Sequence, residues 1–197
     1  MSISVKRFSG IAAQPYLHEL ARLRIEVFRE FPYLYDGNLD YERNYLDTYA
    51  GVANAVIVVA FDADRVIGAS TGLPLISETD EIRRPFTEHG YDVDQVFYFG
   101  ESVLEKRYRG QGLGVRFFDE REAHTRSLRG FRWTAFCAVQ RPHDHPRRQA
   151  DYVPLDDFWG RRGYEKHPEL TTTLSWRDLD ERVTSPKPMV FWLKRIV

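Results

Sequence analysis

The sequence lacks the features expected of a secreted, membrane-bound or nucleic-acid-binding protein. Cys137 is the single cysteine among 197 residues, so no internal disulfide can form, which is typical of a reducing compartment. The formal net charge is −1, which gives no electrostatic signature of nucleic-acid binding. No apolar run approaches the roughly 20 residues of a membrane helix, and residues 1–7 lack the apolar core of a signal peptide. These absences predict a cytoplasmic protein that binds neither nucleic acid nor membrane.

The chain does contain enough apolar material for one packed domain. Hydrophobic residues make up 43% of it and aromatic residues 14%, which argues against a disordered chain. Its length suits a single domain with a substantial core, and no internal repeat or low-complexity segment divides it. We therefore expect residues 1–197 to form one domain.

Hydrophobic periodicity and turn residues predict the order of elements along the chain. That order is strand, two helices, three strands, helix, strand, helix and two strands. The corresponding residues are 3–8, 15–31, 41–51, 55–61, 65–72, 96–104, 115–128, 131–139, 155–162, 170–176 and 189–193. Three long connections remain: residues 75–95, with a short helix near 80–88, residues 140–154, and a polar linker at 177–188.

The most informative stretch is Arg109-Gly110-Gln111-Gly112-Leu113-Gly114, between the predicted strand 96–104 and the predicted helix 115–128. The first amides of a helix have no intrahelical acceptor, and the helix dipole is positive there. Glycines let the backbone approach an anion closely. The stretch therefore predicts a phosphate-binding loop at a helix N-terminus.

Two well-known phosphate loops do not fit, and a third does. A Walker loop needs Lys-Ser/Thr after its last glycine, where this chain has Val115-Arg116. The dinucleotide fingerprint places its third glycine differently. Arg109, Gly112 and Gly114 instead match every fixed position of [Gln/Arg]-x-x-Gly-x-[Gly/Ala], and so the loop resembles the coenzyme A loop of the GCN5-related N-acetyltransferases (GNATs). The family's proline three residues before the arginine is replaced by Lys106.

A second motif carries the same resemblance. The segment from Phe158 to Tyr164 reads Phe-Trp-Gly-Arg-Arg-Gly-Tyr and resembles the family's aromatic-x-x-x-Gly-Phe/Tyr segment. Together the motifs and element order are similar to the GNAT fold over nearly the whole chain. The resemblance implies an α/β (α+β) protein with a mixed, mostly antiparallel sheet of about seven strands, flanked by about four helices.

The resemblance also implies acetyl transfer from acetyl-CoA to a primary amine, with no metal. By position, the backbone at Ser102, Val103 and Leu104 would contact the pantetheine arm and the thioester, and the amide of Val103 or Leu104 would be the oxyanion donor. The pyrophosphate would lie against the loop formed by Arg109, Gly110, Gln111, Gly112, Leu113 and Gly114. The acceptor is not identified, although a small-molecule amine is favoured over a protein.

Glu101 is the candidate general base. An alkylammonium has a pKa near 10 and must lose a proton before it attacks. Period-two alternation places Glu101 on one face with Phe97, Phe99 and Val103, where burial would raise the pKa of its carboxyl. The alternative is a structural ion pair with an arginine such as Arg132.

One departure from the family leaves other functions open. The family often has a tyrosine as general acid where this chain has Phe158-Trp159, and neither side chain can protonate a thiolate usefully. A non-catalytic acyl-CoA-binding sensory or regulatory module is therefore the alternative function. An interaction domain whose glycine loop binds nothing is a third.

Four further features have two interpretations each. Cys137 is either a buried small hydrophobe or a nucleophile, and His143-Asp144-His145 is either a surface loop or a metal site. Tyr33, Tyr35, Tyr41 and Tyr45 either wall the acceptor site or belong to the core and its rim. Phe191 and Trp192 suit either the core or an interface, which leaves a homodimer open. We expect the connections 75–95 and 140–154 to determine acceptor specificity.

Overall fold

The computed structural model describes residues 2–196, built around one mixed sheet. The strands are β1 (Ile3–Phe8), β2 (Val56–Asp62), β3 (Arg65–Pro74), β4 (Val96–Tyr98), β5 (Ser102–Leu104), β6 (Trp133–Val139), β7 (Glu165–Trp176) and β8 (Ser185–Arg195). The α-helices are α1 (Leu17–Phe28), α2 (Leu39–Gly51), α3 (Asp80–Glu88), α4 (Leu113–Leu128) and α5 (Asp156–Arg161). Short 3-10 helices span Gly10–Tyr16, Leu75–Ser77, Val93–Gln95 and Lys106–Tyr108.

The strand order is β1-β2-β3-β4-β6-β8-β7, with β5 paired to β3 beside that path. The β4–β6 pair is parallel and the other pairs are antiparallel. This confirms the predicted mixed, mostly antiparallel sheet and the predicted order of elements. Among the helices of residues 2–196, none has the length and apolarity needed to cross a membrane.

Strand β2 shows how the sheet is buried on both faces. Ile57, Val59 and Phe61 pack into one cluster with buried side chains of α1 and α2. Val56, Val58 and Ala60 pack into a second cluster with Leu113, Phe117 and Phe118 of α4. Alternate residues of a strand point to opposite faces, so this apolar run forms the centre of a helix–sheet–helix sandwich.

The predicted continuous strand 96–104 is wrong between β4 and β5. Strand β4 pairs with β3 and β6, whereas β5 pairs with β3. Phe97 and Phe99 pack on the α4 side, while Val103 packs on the side of α1 and α2. The predicted common face of Phe97, Phe99, Glu101 and Val103 is therefore wrong, because a slip of one residue reverses the side-chain alternation.

Gly100 lies at this break, and its neighbours leave no room for a larger residue. A Cβ at this position would overlap the hydroxyl oxygen of Tyr49 and lie 2.7 Å from Oγ1 of Thr71. The amide of Gly100 donates to the carbonyl of Thr71, whose own amide donates to the carbonyl of Glu101. A glycine therefore lets α2 contact the sheet where the strand changes course.

The last two strands are longer than predicted. Residues 185–188, expected in a polar linker, belong to β8 although they include Pro186 and Pro188. The β6–β8 pairing ends at Val139 and Met189, so both prolines fall where β8 has β7 as its strand neighbour and no β6 partner. Proline is tolerated where one side of a strand is free of ladder hydrogen bonds. Strand β7 carries a register irregularity between His167 and Thr171.

We predict that Gly100→Ala lowers the free energy of unfolding by about 1–3 kcal/mol, the usual range for an overpacked site. The added methyl group must displace Tyr49 or Thr71. Urea unfolding followed by circular dichroism measures the change. Gly51→Ala is the control, because nothing lies within 4 Å of its Cβ position and alanine favours the helix. Equal stabilities for the two variants would contradict the close approach at Gly100.

Candidate active site

The glycine loop forms an open anion site at the N-terminus of α4. Gly110 and Gly112 have φ values of 76° and 81°, which favour glycine. A Cβ at either position would meet nothing within 4 Å, so the space above the loop is free. Helix α4 begins at Leu113 and has no acidic residue in its first turn. Its positive end and its first amides are therefore available to an anion.

The side chain of Arg109 binds protein groups instead of facing this space. Its Nε donates to the carbonyl oxygen of Leu104 at 3.2 Å, and its Nη1 lies 2.7 Å from Oε2 of Glu30. Glu30 follows α1, so Arg109 ties the loop to β5 and to the end of that helix. Gln111 likewise donates to the carbonyl of Arg107. The anion site is therefore made by backbone amides.

Every second residue of β5 directs its backbone amide and carbonyl away from β3, toward the opposite edge of the strand. The carbonyl of Glu101 and the amide of Glu105 both pair with β3. In an antiparallel ladder successive residues alternate in direction, so Val103 also faces β3, while Ser102 and Leu104 face the opposite edge. Strand β6 pairs with β4 only as far as Ala135, and beyond that residue its ladder partner is β8. A gap therefore opens between β5 and β6, which we call the split. Of the two candidate oxyanion donors, Leu104 thus has its amide on the edge directed into the split between β5 and β6.

Glu101 lies at the strand break and is paired with an arginine that the sequence did not single out. Its side chain is nearly buried, and Oε2 lies 2.5 Å from Nη1 of Arg24 on α1. Arg24 also pairs with the fully buried Glu42 of α2. Arg132, the ion-pair partner suggested from the sequence, is exposed and is not the partner observed. Oε1 of Glu101 is buried and has no hydrogen-bond partner among the described residues.

Two opposing effects act on the Glu101 carboxyl. Burial raises its pKa, and the guanidinium of Arg24 lowers it, with burial the larger effect. When Glu42 and Glu101 are both ionised, Arg24 neutralises one of the two negative charges, and the buried cluster then has a surplus of negative charge. Such a cluster favours a cation as its next neighbour.

A cavity of about 810 Å³ extends from Glu101 to the surface. Seven aromatic side chains line it, together with polar and charged ones: Phe28, Tyr33, Tyr35, Tyr41, Tyr45, Tyr98 and Trp176. The four tyrosines for which the sequence left open either a wall of the acceptor site or a place in the core and its rim are all included. Gly100, Glu101 and Cys137, which flank the split, also line the cavity. The cavity therefore reaches the same opening that the edge of β5 faces.

The two long connections differ in their relation to this cavity. Glu78, Thr79, Glu81 and Ile82 of the connection 75–95 line it, as do residues 182–184 between β7 and β8. None of residues 140–154 lies on the wall described for it. Arg141 instead donates to the carbonyls of Pro32 and Tyr33, and His145 packs against Phe31. The connection 140–154 thus supports the aromatic wall from outside.

The alternative metal site at His143-Asp144-His145 gains no geometric support. Within residues 2–196 no group of three or more His, Cys, Asp or Glu side chains has the geometry to hold a metal ion. Nδ1 of His145 accepts from the amide of Arg147 at 3.2 Å. The guanidinium of Arg148 lies over the ring of Tyr152.

Sequence reasoning missed two buried arginines that shape the site. Arg121 of α4 is 1% exposed and donates to the carbonyls of Thr71 and Glu101, at 3.2 Å each, and to Oγ of Ser102 at 3.0 Å. Burial lowers the pKa of Arg121 to about 10, so the group stays charged at neutral pH. Both Arg24 and Arg121 occupy helix positions spaced three or four residues from apolar ones. A cation on an apolar stripe is the signal that could have revealed them.

The aromatic pair before Gly163 is partly buried and packs against the core. The ring of Trp159 packs against Phe136 and Trp192, with centroids 5.1 Å away in each case. Phe158 packs on Phe118 of α4, and a Cβ on Gly114 would lie 3.5 Å from its ring. Neither side chain brings a hydroxyl group to the split.

Comparison with known proteins shows the same class of fold. No family model and no curated protein matches the sequence. Solved structures do match over nearly the whole chain, and they include GNAT acetyltransferases, which confirms the resemblance at the level of the fold.

Three solved structures illustrate the match. An acetyltransferase of the GNAT family from Streptococcus pneumoniae has a TM-score of 0.59 at 12% identity, covering 100% of both chains. Ribosomal-protein-alanine N-acetyltransferase from Brucella melitensis has a TM-score of 0.64 at 13% identity, covering 98% of this chain and 99% of the other. A protein from Salmonella typhimurium, solved with its cofactor acetyl-CoA, has a TM-score of 0.62 at 7% identity, covering 100% and 95%.

We predict that Cys137 reacts slowly with thiol reagents although it lines the cavity. Burial raises the pKa of its thiol to about 12, and Sγ lies 3.1 Å from the hydroxyl of Tyr98. Since the thiolate is the reactive form, iodoacetamide at pH 8 should label the folded protein at least ~100-fold more slowly than free cysteine. Mass spectrometry measures the rate, and the same protein in urea is the control. Equally fast labelling in both states would favour the nucleophile interpretation instead.

Proposed function

We propose that this chain is an acetyl-CoA-dependent N-acetyltransferase that acetylates a small primary amine by direct attack on the thioester. The observation that carries the proposal is the cavity that ends on Glu101 at the strand break. The cavity meets the split near Glu101, at the start of β5, and the glycine loop follows the end of the same strand. A cosubstrate held along this edge would present its acyl group where the cavity ends.

The coenzyme would be held mainly by backbone groups. The pyrophosphate would lie on the loop from Arg109 to Gly114, at the positive end of α4. The pantetheine arm would follow Ser102, Val103 and Leu104, and the amide of Leu104 would donate to the thioester oxygen. One such donor typically contributes about 3 kcal/mol to the stabilisation of a transition state. The match to a structure solved with acetyl-CoA supports this choice of cosubstrate.

Glu101 would act as the general base. It would take a proton from the ammonium group, and the neutral nitrogen would then attack the thioester carbon. The C–N bond forms, the C–S bond breaks, and the coenzyme leaves as a thiolate. A thiol with a pKa near 8.5 can leave without an assigned acid, which offsets the absence of a hydroxyl at Phe158-Trp159. Arg24 would keep Glu101 in place and ionised.

The cavity supports a compact acceptor with an aromatic or other apolar body. Its wall is rich in aromatic rings, and its inner end carries the surplus negative charge shared by Glu42, Glu101 and Arg24. A protonated amine satisfies that charge, and the carboxylate of Glu101 can accept its N–H. An apolar body would pack against the tyrosines and Trp176. Connection 75–95 would then select among amines through Glu78 and Ile82.

The alternative, a non-catalytic acyl-CoA-binding module, rests on the missing tyrosine. It would bind acetyl-CoA without releasing thiol in the presence of any amine.

Four expectations from the sequence stay predictions. They are a cytoplasmic location, a single domain of residues 1–197, the absence of nucleic-acid and membrane binding, and a possible homodimer.

We predict that the protein binds acetyl-CoA with micromolar affinity, more tightly than ATP, and that Gly112→Glu abolishes binding. The added carboxylate would repel the pyrophosphate at a position with φ of 81°. Isothermal titration calorimetry with acetyl-CoA, CoA and ATP measures the affinities. Gly90→Glu is the matched control, because Gly90 has a φ of 77° and the same open surroundings away from the site. If the wild-type protein binds no acetyl-CoA, the proposed function is wrong.

We predict that Glu101→Gln lowers kcat/KM for the acceptor by at least ~100-fold, the usual contribution of a general base. The carboxylate is the active form, and burial raises its pKa, so the wild-type rate should rise with pH through a midpoint above that of an ordinary glutamate. The variant should lose this rise and retain its affinity for acetyl-CoA. Thiol release from acetyl-CoA across a pH series, with a panel of arylalkyl and alkyl amines, measures both effects. A wild-type pH profile retained by the variant would exclude Glu101 as the base.

A further inference from the structure

Two tyrosines connect Glu101 to a second carboxylate in the cavity wall. The hydroxyl of Tyr45 lies 3.3 Å from Oε2 of Glu101 and 2.9 Å from the hydroxyl of Tyr49. The Tyr49 hydroxyl in turn lies 3.3 Å from Oε1 of Glu78. Tyr45 and Tyr49 are four residues apart on α2, which places their side chains on one face of the helix. A continuous chain of three hydrogen bonds therefore joins Glu101 to Glu78.

Counting protons shows what this chain needs in order to be complete. Three hydrogen bonds require three hydrogens, and the two tyrosine hydroxyls supply two. The third must be a carboxyl proton on either Glu101 or Glu78. With the proton on Glu101, each group donates toward Glu78, and with the proton on Glu78 every donor points the opposite way. The same heavy-atom positions therefore accommodate one carboxyl proton at either end.

The two ends of the chain differ in their surroundings. Glu101 is nearly buried beside Arg24, with Glu42 beyond it, the hydroxyl of Thr71 at its amide and Arg121 at its carbonyl. Glu78 is half-buried at the cavity wall and accepts from the amide of Thr79. Burial raises the pKa of both carboxyls, and each raises the pKa of Tyr49. Glu78 is the less buried end of the chain, and it is the end from which a proton can reach solvent.

We propose that Tyr45, Tyr49 and Glu78 form a proton relay that carries to solvent the proton that Glu101 takes from the acceptor amine. The proposal rests on the proposed function. Glu101 passes its proton to the oxygen of Tyr45, Tyr45 passes its own to Tyr49, and Tyr49 passes its own to Glu78. Each O–H bond that breaks is replaced by one that forms, and Glu78 then releases one proton to water. Glu101 is left ionised for the next acceptor.

In the relay, Tyr49 and Glu78 transfer protons. Kinetic measurements can distinguish this role from one in which the two side chains only pack in the fold. Tyr49→Phe and Glu78→Gln should each lower kcat at least tenfold while leaving the affinity for acetyl-CoA unchanged. In Glu78→Gln, added imidazole should restore the rate in proportion to its concentration, because a soluble base replaces the missing proton acceptor. Tyr16→Phe and Glu88→Gln are the matched controls, since neither residue belongs to the hydrogen-bonded chain.

Retention of wild-type kcat by both Tyr49→Phe and Glu78→Gln would overturn the relay. A loss of kcat that imidazole does not relieve, together with an unchanged solvent deuterium isotope effect, would show that the residues only support the fold. Imidazole rescue that is confined to Glu78→Gln, with wild type and controls unaffected, supports the relay.

A second measurement needs no turnover and separates failure of the relay from failure of the proposed function. pH-difference infrared spectroscopy follows the protonated-carboxyl band of the free protein. Because the shared proton completes the chain, the first carboxyl should take it up at a higher pH in the wild type than in Tyr49→Phe. Superimposable titrations would overturn the shared proton even in an active enzyme. A shifted titration in a protein that acetylates no amine would instead leave the shared proton in place and remove the proposed function.

Discussion

The guanidinium of Arg121 holds together the point where the sheet changes course. It is buried beneath the β4–β5 break, over the ring of Phe99 at 4.2 Å, and it donates to the carbonyl of Thr71 on β3 and to the carbonyl of Glu101 just before β5. A buried charge without such partners would be costly. Here the carbonyl dipoles replace water, and the planar fork of donors fixes two strands relative to α4. The carboxylate of Glu101, the backbone edge of β5 and the start of α4 all depend on this placement.

Arg24 has a comparable part on the opposite face of the sheet. Its guanidinium forms ion pairs with the carboxylates of Glu42 and Glu101 and lies 4.4 Å from the ring centroid of Tyr45. Burying three charged groups carries a large desolvation cost, which packing alone would not require at this point of the core. The cluster therefore fits a role in chemistry better than a role in stability.

The fold could largely be predicted because its signals are local. The apolar run of β2, the glycine loop and the turn at residues 62–64 each depend on a few neighbouring residues. The strand break could not be predicted in this way, since Val96 to Leu104 has the composition of one strand and the interruption lies where the distant residues Tyr49 and Thr71 approach Gly100. Glu101 was found because it lies beside a motif. Its partners Arg24 and Tyr45 come from distant helices, and which arginine meets which carboxylate is decided by tertiary packing. The place of Pro186 and Pro188 within β8 could not be predicted for a similar reason, because the lack of a β6 partner beside them is a property of the sheet.

The irregularity in β7 bears on how the molecule behaves at high concentration. Within residues 2–196 this strand is at one end of the sheet, with β8 as its neighbour. An exposed strand edge is a template for pairing with another chain, which leads to aggregation. Beside the register shift after His167 the strand carries Pro168 and the charged Glu165, Lys166 and Glu169. A bulged edge with proline and dense charge cannot accept a further strand in register, so the longest strand of the protein is protected against growth of the sheet beyond its own chain.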